Sequence, residues 1–426
     1  MLLIKKIVWL INVFSSLPND AQKLKKFRNF IKYFLSNPKE NLFIINHPGY
    51  ATIMLSDYYQ RINSLNAGVI ETNYPNTKAP RILIVSHEFS LTGAPKAALM
   101  LAKTLNSIYN VSPVVMTLKQ GPIEEEFRQN NIPLIDFCYE PDVIRETIEN
   151  FDIVILNSCS FKLFENLTDV KVPVIWWIHE NFTSKHEIAV VKKLIPKIHS
   201  CWAGSPLSKK YFEEICSDKK CDLMLYGLDR INIKNNKQDK SVFSVMGTIE
   251  PRKGTDIFIE AVKMLPENIR EKSIFYVIGG YGDDKSFAQK VKTTAADVRF
   301  VDSVPFEQLL EYYAISDAIV VPSRSDPMPI VATYAFMFSK LCVCSDSIGT
   351  ALLVENNQTG VLFENENARD LSEKISDIVT HPEKYDTIAK NGYKIYEKYF
   401  SQKIFKENLE NKINDIVDSR VPIAGI

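Results

Sequence analysis

Short runs of apolar residues alternate with longer amphipathic stretches from Arg81 onward. Apolar runs bounded by polar turns are typical of buried parallel strands, and the amphipathic stretches between them are typical of helices. This alternation predicts right-handed βαβ units and parallel, Rossmann-like sheets, so the predicted fold class is α/β. The predicted strands span residues 81–86, 113–118, 133–137, 151–157, 172–178, 200–204, 223–226, 241–248, 273–278, 299–303, 318–321 and 341–344.

A polar stretch interrupts the alternation between Gly227 and Ser241. Its clustered Asn and Lys residues indicate an exposed linker between two domains. The predicted organisation is an N-terminal extension over residues 1–79, a first Rossmann-like domain over 80–229, a second over 241–400, and a helical tail over 401–426. In the first domain, a loop after strand 81–86 is predicted to lead into a helix that begins near Lys96, just after Pro95.

Composition excludes several classes of function. Basic and acidic residues number 51 each, so the net charge of zero argues against a general affinity for nucleic acids or other polyanions. The seven cysteines include no C-x2-C pair and the six histidines are scattered, so no metal site is predicted. The odd number of cysteines indicates buried, reduced thiols in a cytosolic protein.

The charge is concentrated at the N-terminus. Residues 1–40 carry eight basic and two acidic side chains, so this segment holds an excess of six positive charges. Residues 1–17 are apolar but shorter than the roughly 20 residues that a transmembrane helix needs. One interpretation is a basic amphipathic helix on an anionic membrane surface, and the alternative is that the helices pack on the folded domains. The residues at helical spacing are Leu24, Phe27, Ile31 and Phe34.

Two polar loops follow apolar runs in the C-terminal half. Residues 318–321 lead into the segment 322–326 (PSRSD), and a helix is predicted to begin near Pro329. Residues 341–344 lead into the turn 345–351. The carboxyl ends of parallel strands and the N-termini of the following helices meet at one sheet edge. Free backbone N–H groups and helix dipoles therefore favour a phosphate there.

This region resembles the donor-binding core of retaining nucleotide-sugar glycosyltransferases with the GT-B fold, specifically the large bacterial family 4 (glycosyl transferases group 1). Members carry an E-x7-E motif at this loop, followed by a G-T or G-A turn and a T-G-hydrophobic strand. Asp326 matches the first acid, residues 349–351 (GTA) match the turn, and residues 359–361 (TGV) match the strand. Residues 247–254 (GTIEPRKG) match the G-T-x-E-P-R-K-G variant of the basic loop in this family.

The resemblance implies two Rossmann-like domains that face each other across a cleft, preceded by the N-terminal helical extension. Residues 80–229 then form the acceptor domain and residues 241–400 the donor domain, and the tail 401–426 crosses back to the first domain. The implied reaction is transfer of a hexosyl-type sugar from a nucleotide-sugar donor to a saccharide or lipid-linked acceptor, with retention of anomeric configuration. Its expected setting is surface glycan or glycoprotein biosynthesis, in the cytoplasm or on the inner face of the cell membrane.

The basic loop explains how such a reaction proceeds without metal. A diphosphate leaving group accumulates negative charge as the glycosidic bond breaks, and fixed cations at a strand end stabilise that charge. Arg252 and Lys253 are predicted to form this diphosphate clamp. No D-x-D motif occupies a donor-loop position, so neither a metal nor another cofactor is expected. The donor, which is UDP-, GDP- or dTDP-linked, enters as a substrate.

A histidine completes the predicted catalytic set. The apolar strand 172–178 delivers His179 to the ligand-binding edge, where the histidine of the resembled enzymes faces the donor sugar. Its implied roles are a hydrogen bond to the sugar and support of developing positive charge through its backbone carbonyl. The alternative is a histidine satisfied by a nearby carbonyl, and for His87, which also follows a strand, that alternative is favoured.

The resemblance assigns the site residue by residue. The predicted catalytic residues are His179, Arg252, Lys253 and Asp326, with Asp326 holding hydroxyls of the donor sugar. The predicted donor-binding residues are Gly93, Thr248, Gly280, Met328, Ile330, Val331, Tyr334 and Thr350.

One departure affects the predicted activity. Tyr334 occupies the position of the second acid of E-x7-E, which usually accepts hydrogen bonds from both ribose hydroxyls. Deoxyribose lacks the 2′-hydroxyl, so one hypothesis is a dTDP-sugar donor such as dTDP-rhamnose, which makes the chain rhamnosyltransferase-like. A second hypothesis is a catalytically inactive subunit that keeps the fold and binds a glycan or a protein partner.

Overall fold

A computed structural model describes residues 79–90, 92–109, 113–117, 119–136, 145, 147–158, 170–282, 284–295 and 297–418. The predicted basic helices of residues 1–40 and the C-terminal residues 419–426 lie outside this set. Within it, no helix combines the length and the hydrophobicity that crossing a bilayer requires.

The first sheet is parallel and has the strand order β3-β2-β1-β4-β5-β6-β7. Its central strand β1 pairs with β2 on one side and β4 on the other, and all residues of these three strands are buried. Burial on both faces is what continuous apolar runs produce when helices cover a parallel sheet. The strands are β1 (Ile82–Ser86), β2 (Val114–Thr117), β3 (Leu134–Asp136), β4 (Ile153–Asn157), β5 (Val174–Ile178), β6 (Ser200–Ala203) and β7 (Cys221–Leu223).

The second sheet has six strands in the order β10-β9-β8-β11-β12-β13, and its five neighbouring strand pairs are all parallel. The strand order reverses between β8 and β11, so their carboxyl ends flank the switch point at which open α/β sheets bind ligands. The strands are β8 (Ser241–Met246), β9 (Ser273–Ile278), β10 (Val298–Val301), β11 (Ala318–Val321), β12 (Leu341–Ser345) and β13 (Val361–Phe363).

Helices connect most consecutive strands of both sheets. They are α1 (Gly93–Tyr109), α2 (Glu124–Gln129), α3 (Lys185–Leu194), α4 (Pro206–Ile215), α5 (Thr255–Met264), α6 (Glu267–Arg270), α7 (Lys285–Thr293), α8 (Phe306–Ile315), α9 (Ile330–Met337), α10 (Ala368–Thr380), α11 (Pro382–Ile395) and α12 (Gln402–Asp418). Three 3₁₀ turns (Ile195–Lys197, Pro251–Lys253 and Gly349–Leu353) and a π-helical turn (Tyr396–Phe400) complete the described elements. The two parallel, Rossmann-like sheets confirm the predicted α/β fold class.

Two predicted boundaries are wrong by three residues, and several others differ by one or two. The strand predicted over residues 223–226 is β7, which ends at Leu223; the Met224 carbonyl oxygen instead accepts a hydrogen bond of 2.8 Å from the Trp177 indole nitrogen. The helix predicted to begin near Lys96 begins at Gly93. Pro95 therefore lies inside the first helical turn, where its missing N–H leaves no intrahelical bond unmade.

The chain divides into two compact units. Among the described residues, the first takes in residues 79–176 and 194–200, and the second takes in 177–193 and 201–418. The second unit thus contains α4, β7 and the whole second sheet. The core of that sheet includes Phe243 and Phe275, whose rings stack with centroids 5.7 Å apart. The domain bounds at residues 229 and 241 stay predictions.

Helix α12 packs within the second unit against residues in and around β5 and β7. The Phe405 ring stacks on Trp177 with centroids 6.0 Å apart, and the Lys412 ammonium lies 2.8 Å from a carboxylate oxygen of Asp222. The backbone N–H of Leu228 donates a 2.8 Å hydrogen bond to the Phe400 carbonyl oxygen just before the helix. An aromatic contact, an ion pair and a backbone hydrogen bond therefore fasten the C-terminal helix.

Five of the seven cysteines are described, and all five are free thiols. Cys201, Cys221, Cys342 and Cys344 are buried in strands. Burial raises the pKa of the Cys201 thiol to about 12, so this side chain is a neutral, unreactive part of the core.

Replacing Phe405 by alanine tests how much α12 contributes to stability. The Phe405 side chain is 1% exposed, so its loss leaves a cavity against Trp177, and we expect the free energy of unfolding to fall by about 3–5 kcal/mol. Phe306→Ala is the matched control, because Phe306 is 38% exposed and its loss is expected to cost below about 1 kcal/mol. Urea unfolding followed by fluorescence measures both, and equal midpoint shifts would contradict the assignment.

Candidate active site

The candidate site lies at the carboxyl ends of β8 and β11, which are neighbours in the second sheet. After β8 the chain forms the 3₁₀ turn Pro251–Lys253, and after β11 it forms the loop that carries Asp326. The backbone N–H of Arg324 donates a 2.9 Å hydrogen bond to the Arg252 carbonyl oxygen and ties the two loops together. The topology thus brings together two loops that lie about 70 residues apart in sequence.

Two cations share one carboxylate at this edge. The Lys253 ammonium lies 2.5 Å from the Oδ2 atom of Asp326, and the Arg252 guanidinium lies 3.5 Å from the same atom. The Asp326 residue is only 6% exposed, so its carboxylate is stabilised chiefly by these partners. A second acid, Glu250, accepts a 2.8 Å hydrogen bond from Arg252. The structure therefore brings together three of the four predicted catalytic residues.

Arg252 and Lys253 differ in how far they face solvent. The side chain of Arg252 is 50% exposed and that of Lys253 is 26% exposed. Fixed cations in a partly desolvated pocket interact with an anion more strongly than they do in water. Lys253 also lines a small, partly open cavity at the ends of β8 and β11, together with the predicted donor-binding residues Thr248 and Val331.

A glycine sets the approach of the two loops. Gly254 has a φ of +66°, and a Cβ atom there would overlap the Pro322 carbonyl oxygen at the end of β11. A residue with a side chain would suffer both the left-handed backbone conformation and this contact. Gly254 therefore lets the turn that carries Lys253 pack directly on the end of β11.

The turn after β12 holds the loop of Asp326 from the other side. The backbone N–H of Gly349 donates a 3.0 Å hydrogen bond to the Asp326 carbonyl oxygen, and a Cβ atom at Gly349 would overlap the Pro327 carbonyl oxygen. The buried Thr350 hydroxyl lies 3.6 Å from the Met328 sulfur. Thr350 and Met328, both predicted to bind the donor, are therefore neighbours.

His179 directly follows β5 and belongs to the same compact unit as Asp326. Its imidazole packs on the Trp177 ring with centroids 4.6 Å apart, and its Nδ1 atom lies 2.5 Å from where a Gly204 Cβ would stand. Ser205, which follows Gly204, lies beside Gly349: a Cβ atom at Gly349 would stand 3.3 Å from the Ser205 Cβ. His179, Gly204, Ser205 and Gly349 are thus successive neighbours that lead to the loop of Asp326.

The remaining predicted donor-binding residues lie on three elements. Gly280 follows β9, and its carbonyl oxygen accepts a 2.8 Å hydrogen bond from the backbone N–H of Ile249 in the basic loop. Ile330 and Tyr334 lie on α9, which begins directly after Pro329 as predicted. Gly93 is the first residue of α1 in the other compact unit, so its role stays a prediction.

The Tyr334 ring lies in an aromatic cluster with Phe306, Tyr313 and Phe338, at centroid distances of 5.1, 5.9 and 5.8 Å. Burial raises the pKa of the Tyr334 hydroxyl to about 12, so the group is neutral near pH 7. Where the resembled family has a carboxylate, this chain therefore has a neutral hydroxyl in apolar surroundings.

Four charged residues beside the basic turn did not stand out in the sequence. Arg324 bonds to both Asp256 and Glu366, and Glu250 holds Arg252. Glu250 lies within residues 250–254 (EPRKG), where an acid close to two basic residues is a signal that the sequence provides. For the Arg324 pairs no local signal existed, because the partners are 68 and 42 residues away.

Two family models match overlapping parts of the chain. The model described as "Glycosyl transferases group 1" matches residues 229–395, and the model described as "Glycosyl-transferase family 4" matches residues 78–242. The first match contains Arg252, Lys253 and Asp326, and the second contains His179.

Sequence relatives are glycosyltransferases by name. An uncharacterized glycosyltransferase of Methanocaldococcus jannaschii is 27% identical over 184 residues, which is 42% of this chain and 50% of the relative. An N,N'-diacetylbacillosaminyl-diphospho-undecaprenol alpha-1,3-N-acetylgalactosaminyltransferase of Campylobacter jejuni is 26% identical over 43% of this chain and 46% of its own length. The chain thus spans about half the length of these relatives.

Solved structures share the fold over most of the chain. A glycosyltransferase from Rickettsia africae superposes with a TM-score of 0.69 at 17% identity, covering 80% of this chain and 99% of that one. Anabaena HepE in complex with UDP-glucose superposes with a TM-score of 0.66 at 16% identity, covering 79% and 100%. At these identities the likeness establishes the fold alone, and it confirms the predicted GT-B architecture of two Rossmann-like domains.

Replacing Gly349 by alanine tests the contact that holds the Asp326 loop. The new methyl group must displace the Pro327 backbone, and we expect a loss of about 1–3 kcal/mol in the free energy of unfolding. Gly93→Ala is the control, because a Cβ at Gly93 meets nothing within 4 Å and alanine favours helices. Chemical denaturation measures both variants, and an unchanged midpoint for Gly349→Ala would refute the close packing.

Proposed function

This chain is a member of the family 4, group 1 glycosyltransferases with the GT-B fold, and from that premise we propose that it moves a sugar from a nucleotide-sugar donor to a saccharide or lipid-linked acceptor, with retention of anomeric configuration. The observation that carries the proposal is the pair of cations, Arg252 and Lys253, gathered around Asp326 at the switch point of the second sheet. The UDP-glucose complex of HepE supports a nucleotide-sugar donor by analogy.

In the proposed mechanism, the diphosphate of the donor lies against Lys253 and Arg252. Breaking the bond between the anomeric carbon and the diphosphate oxygen leaves its electron pair on that oxygen, where the ammonium and guanidinium groups stabilise it. Asp326 balances these cations before the donor arrives, so the cations are fixed in place and need little reorganisation during the reaction. Because they supply the positive charge, we propose that no divalent metal is required.

Asp326 and His179 would act on the sugar itself. The two cations occupy the Oδ2 side of the Asp326 carboxylate, and hydroxyls of the donor sugar would donate hydrogen bonds to its remaining acceptor positions. The imidazole of His179 packs on the Trp177 ring and lies beside Gly204, which has no side chain to displace it. We propose that its backbone carbonyl supports the positive charge that develops on the sugar ring.

The nucleotide of the donor is proposed to be dTDP. A neutral tyrosine at position 334 has one hydroxyl, whereas a carboxylate accepts hydrogen bonds from two ribose hydroxyls. Loss of the second acceptor costs less for a deoxyribose, which has no 2′-hydroxyl to satisfy. A dTDP-hexose such as dTDP-rhamnose fits this requirement.

The acceptor is proposed to be a growing surface glycan or a lipid-linked saccharide. The Campylobacter relative carries a diphospho-undecaprenol-linked sugar in its name, which supports the lipid-linked class. An excess of six positive charges over residues 1–40 would hold the enzyme on anionic lipids at the inner face of the membrane.

Tyr334 also favours a second candidate function, a glycosyltransferase-like subunit that binds a glycan or protein partner without turnover. Its apolar neighbours Phe306 and Phe338 provide no acid in place of the missing one. Turnover of a nucleotide sugar separates the two candidates.

Replacing Lys253 by alanine removes the closer cation of the clamp. We expect kcat to fall at least about 100-fold, which is roughly 3 kcal/mol of transition-state stabilisation, while the fold is retained because Arg252 still faces Asp326. Lys263→Ala is the matched control, since Lys263 forms a comparable ion pair of 2.6 Å with Glu260 on the surface of α5.

The measurement is sugar release and transfer in excess EDTA, where the wild-type enzyme is expected to remain active. A Lys253→Ala enzyme of normal activity contradicts the clamp. Loss of wild-type activity on chelation, restored by a divalent ion, contradicts the metal-independent part of the proposal.

A panel of nucleotide-sugar donors tests which nucleotide the enzyme prefers. Calorimetric titration with UDP-, GDP- and dTDP-sugars is expected to give the tightest binding for a dTDP-sugar, and mass spectrometry with membrane extract is expected to detect its transfer product. Tighter binding of a ribonucleotide donor rejects the deoxyribose proposal. Absence of turnover with every donor, together with intact glycan binding, supports the non-catalytic candidate instead.

A further inference from the structure

Arg324 joins four segments around the basic turn. Its guanidinium donates to both carboxylate oxygens of Asp256, at 2.9 and 2.7 Å, and to the Pro251 carbonyl oxygen at 2.6 Å. Its Nε atom donates to Glu366 at 2.6 Å. A bidentate arginine–carboxylate pair fixes direction as well as distance, which a lysine ammonium cannot reproduce.

The bonds of Arg324 hold the chain on both sides of Arg252 and Lys253, the two residues of the clamp. Pro251 precedes Arg252 and Lys253, and Asp256 follows them in the first turn of α5, so Arg324 holds the short segment on both sides. The backbone N–H of Arg324 adds a third tie, at 2.9 Å, to the Arg252 carbonyl oxygen. The place from which the Lys253 side chain extends is therefore set largely by Arg324.

The backbone carbonyl of Arg324 and its partner Glu366 are also held in place. Its carbonyl oxygen accepts a 2.9 Å hydrogen bond from the Ser347 hydroxyl in the turn after β12. Glu366, after β13, adopts a left-handed backbone conformation with φ of +61° while its carboxylate pairs with Arg324. Such a conformation is unfavourable for a glutamate and persists where surrounding contacts hold it.

The charge around Arg324 is already balanced. Two carboxylates, from Asp256 and Glu366, face one guanidinium, so Arg324 offers no surplus positive charge to a diphosphate. Arg252 and Lys253 directly follow Pro251 in the chain and are the groups that face Asp326. This arrangement suits a residue that acts through the clamp and does not contact the donor.

We propose that Arg324 is the positioning residue of the diphosphate clamp: its bonds to Pro251, Asp256 and Glu366 hold Lys253 and Arg252 where they bind the diphosphate of the donor. This inference rests on the proposed function. It assigns discrimination between a nucleoside diphosphate and a monophosphate to the Arg324 contacts, since only the diphosphate extends its second phosphate into the clamp.

The test uses Arg324→Lys in the full chain, with calorimetric titration of UDP, GDP and dTDP and of the matching monophosphates. The wild type is expected to bind its preferred diphosphate at least about tenfold more tightly than the monophosphate. In Arg324→Lys we expect this ratio to fall about tenfold, with monophosphate affinity within about twofold of wild type, because a displaced clamp loses the second phosphate only. In a Lys253→Ala background the same substitution is expected to change the ratio less than about twofold.

Arg81→Lys is the matched control. Arg81 also forms a bidentate pair, with Asp152 at 3.2 and 3.1 Å, but it lies in the other compact unit, and its substitution is expected to leave the ratio unchanged. Asp256→Asn, which keeps the shape of the partner, is expected to lower the ratio as well and serves if Arg324→Lys does not fold.

The outcomes separate the two proposals. A wild-type protein that binds diphosphate and monophosphate equally overturns the clamp, and the positioning role with it. A wild-type protein that discriminates, with a variant that discriminates equally well, overturns the positioning role alone. Equal weakening of both ligands in Arg324→Lys also overturns it, because a purely structural role produces that result.

Discussion

The ion cluster of Asp326, Lys253 and Arg252 is the interaction on which the rest of this site depends. A carboxylate that is 6% exposed is costly to desolvate, and only partners within a few ångströms offset that cost. Those partners come from another loop, so the turn after β8 must lie directly on the end of β11. Gly254 permits that approach, and Arg324 and Gly349 fix the two loops around it. The geometry of the cations is thus a consequence of satisfying one buried acid.

This constraint connects stability to function. The same ammonium group that stabilises Asp326 would stabilise a departing diphosphate, so a donor would share a cation that already has a partner. Shared partners keep the cations in place in the absence of substrate, and the reaction then gains from positioning that folding has already supplied. The arrangement also explains why both acids, Glu250 and Asp326, belong beside the basic turn: they limit the mutual repulsion of two adjacent cations.

Much of this architecture was accessible from the sequence, and the exceptions share a cause. Strand β9 and the start of α9 after Pro329 lie where the sequence pattern predicted them, because buried parallel strands and helix openings leave local signals. The end of β7 was mispredicted because Trp177, 47 residues away, takes the Met224 carbonyl. The contacts of Arg324 were equally invisible, since its acceptors are brought together only by the fold. The pairing of Lys253 with Asp326 was implied by family motifs, whereas the pattern alone predicted only a shared sheet edge.

The side chains around Tyr334 explain why a tyrosine suits this position better than an acid. A glutamate among Phe306, Tyr313 and Phe338 would have to desolvate its charge against three aromatic rings, which is unfavourable without a buried cation to pair with it. A tyrosine adds a fourth ring to the cluster and keeps one polar hydroxyl, and the rise of its pKa to about 12 keeps that hydroxyl protonated. The surroundings of this position therefore suit a neutral aromatic side chain. These surroundings do not provide a carboxylate that could accept hydrogen bonds from two ribose hydroxyls. Recognition of the donor therefore depends more on the diphosphate clamp.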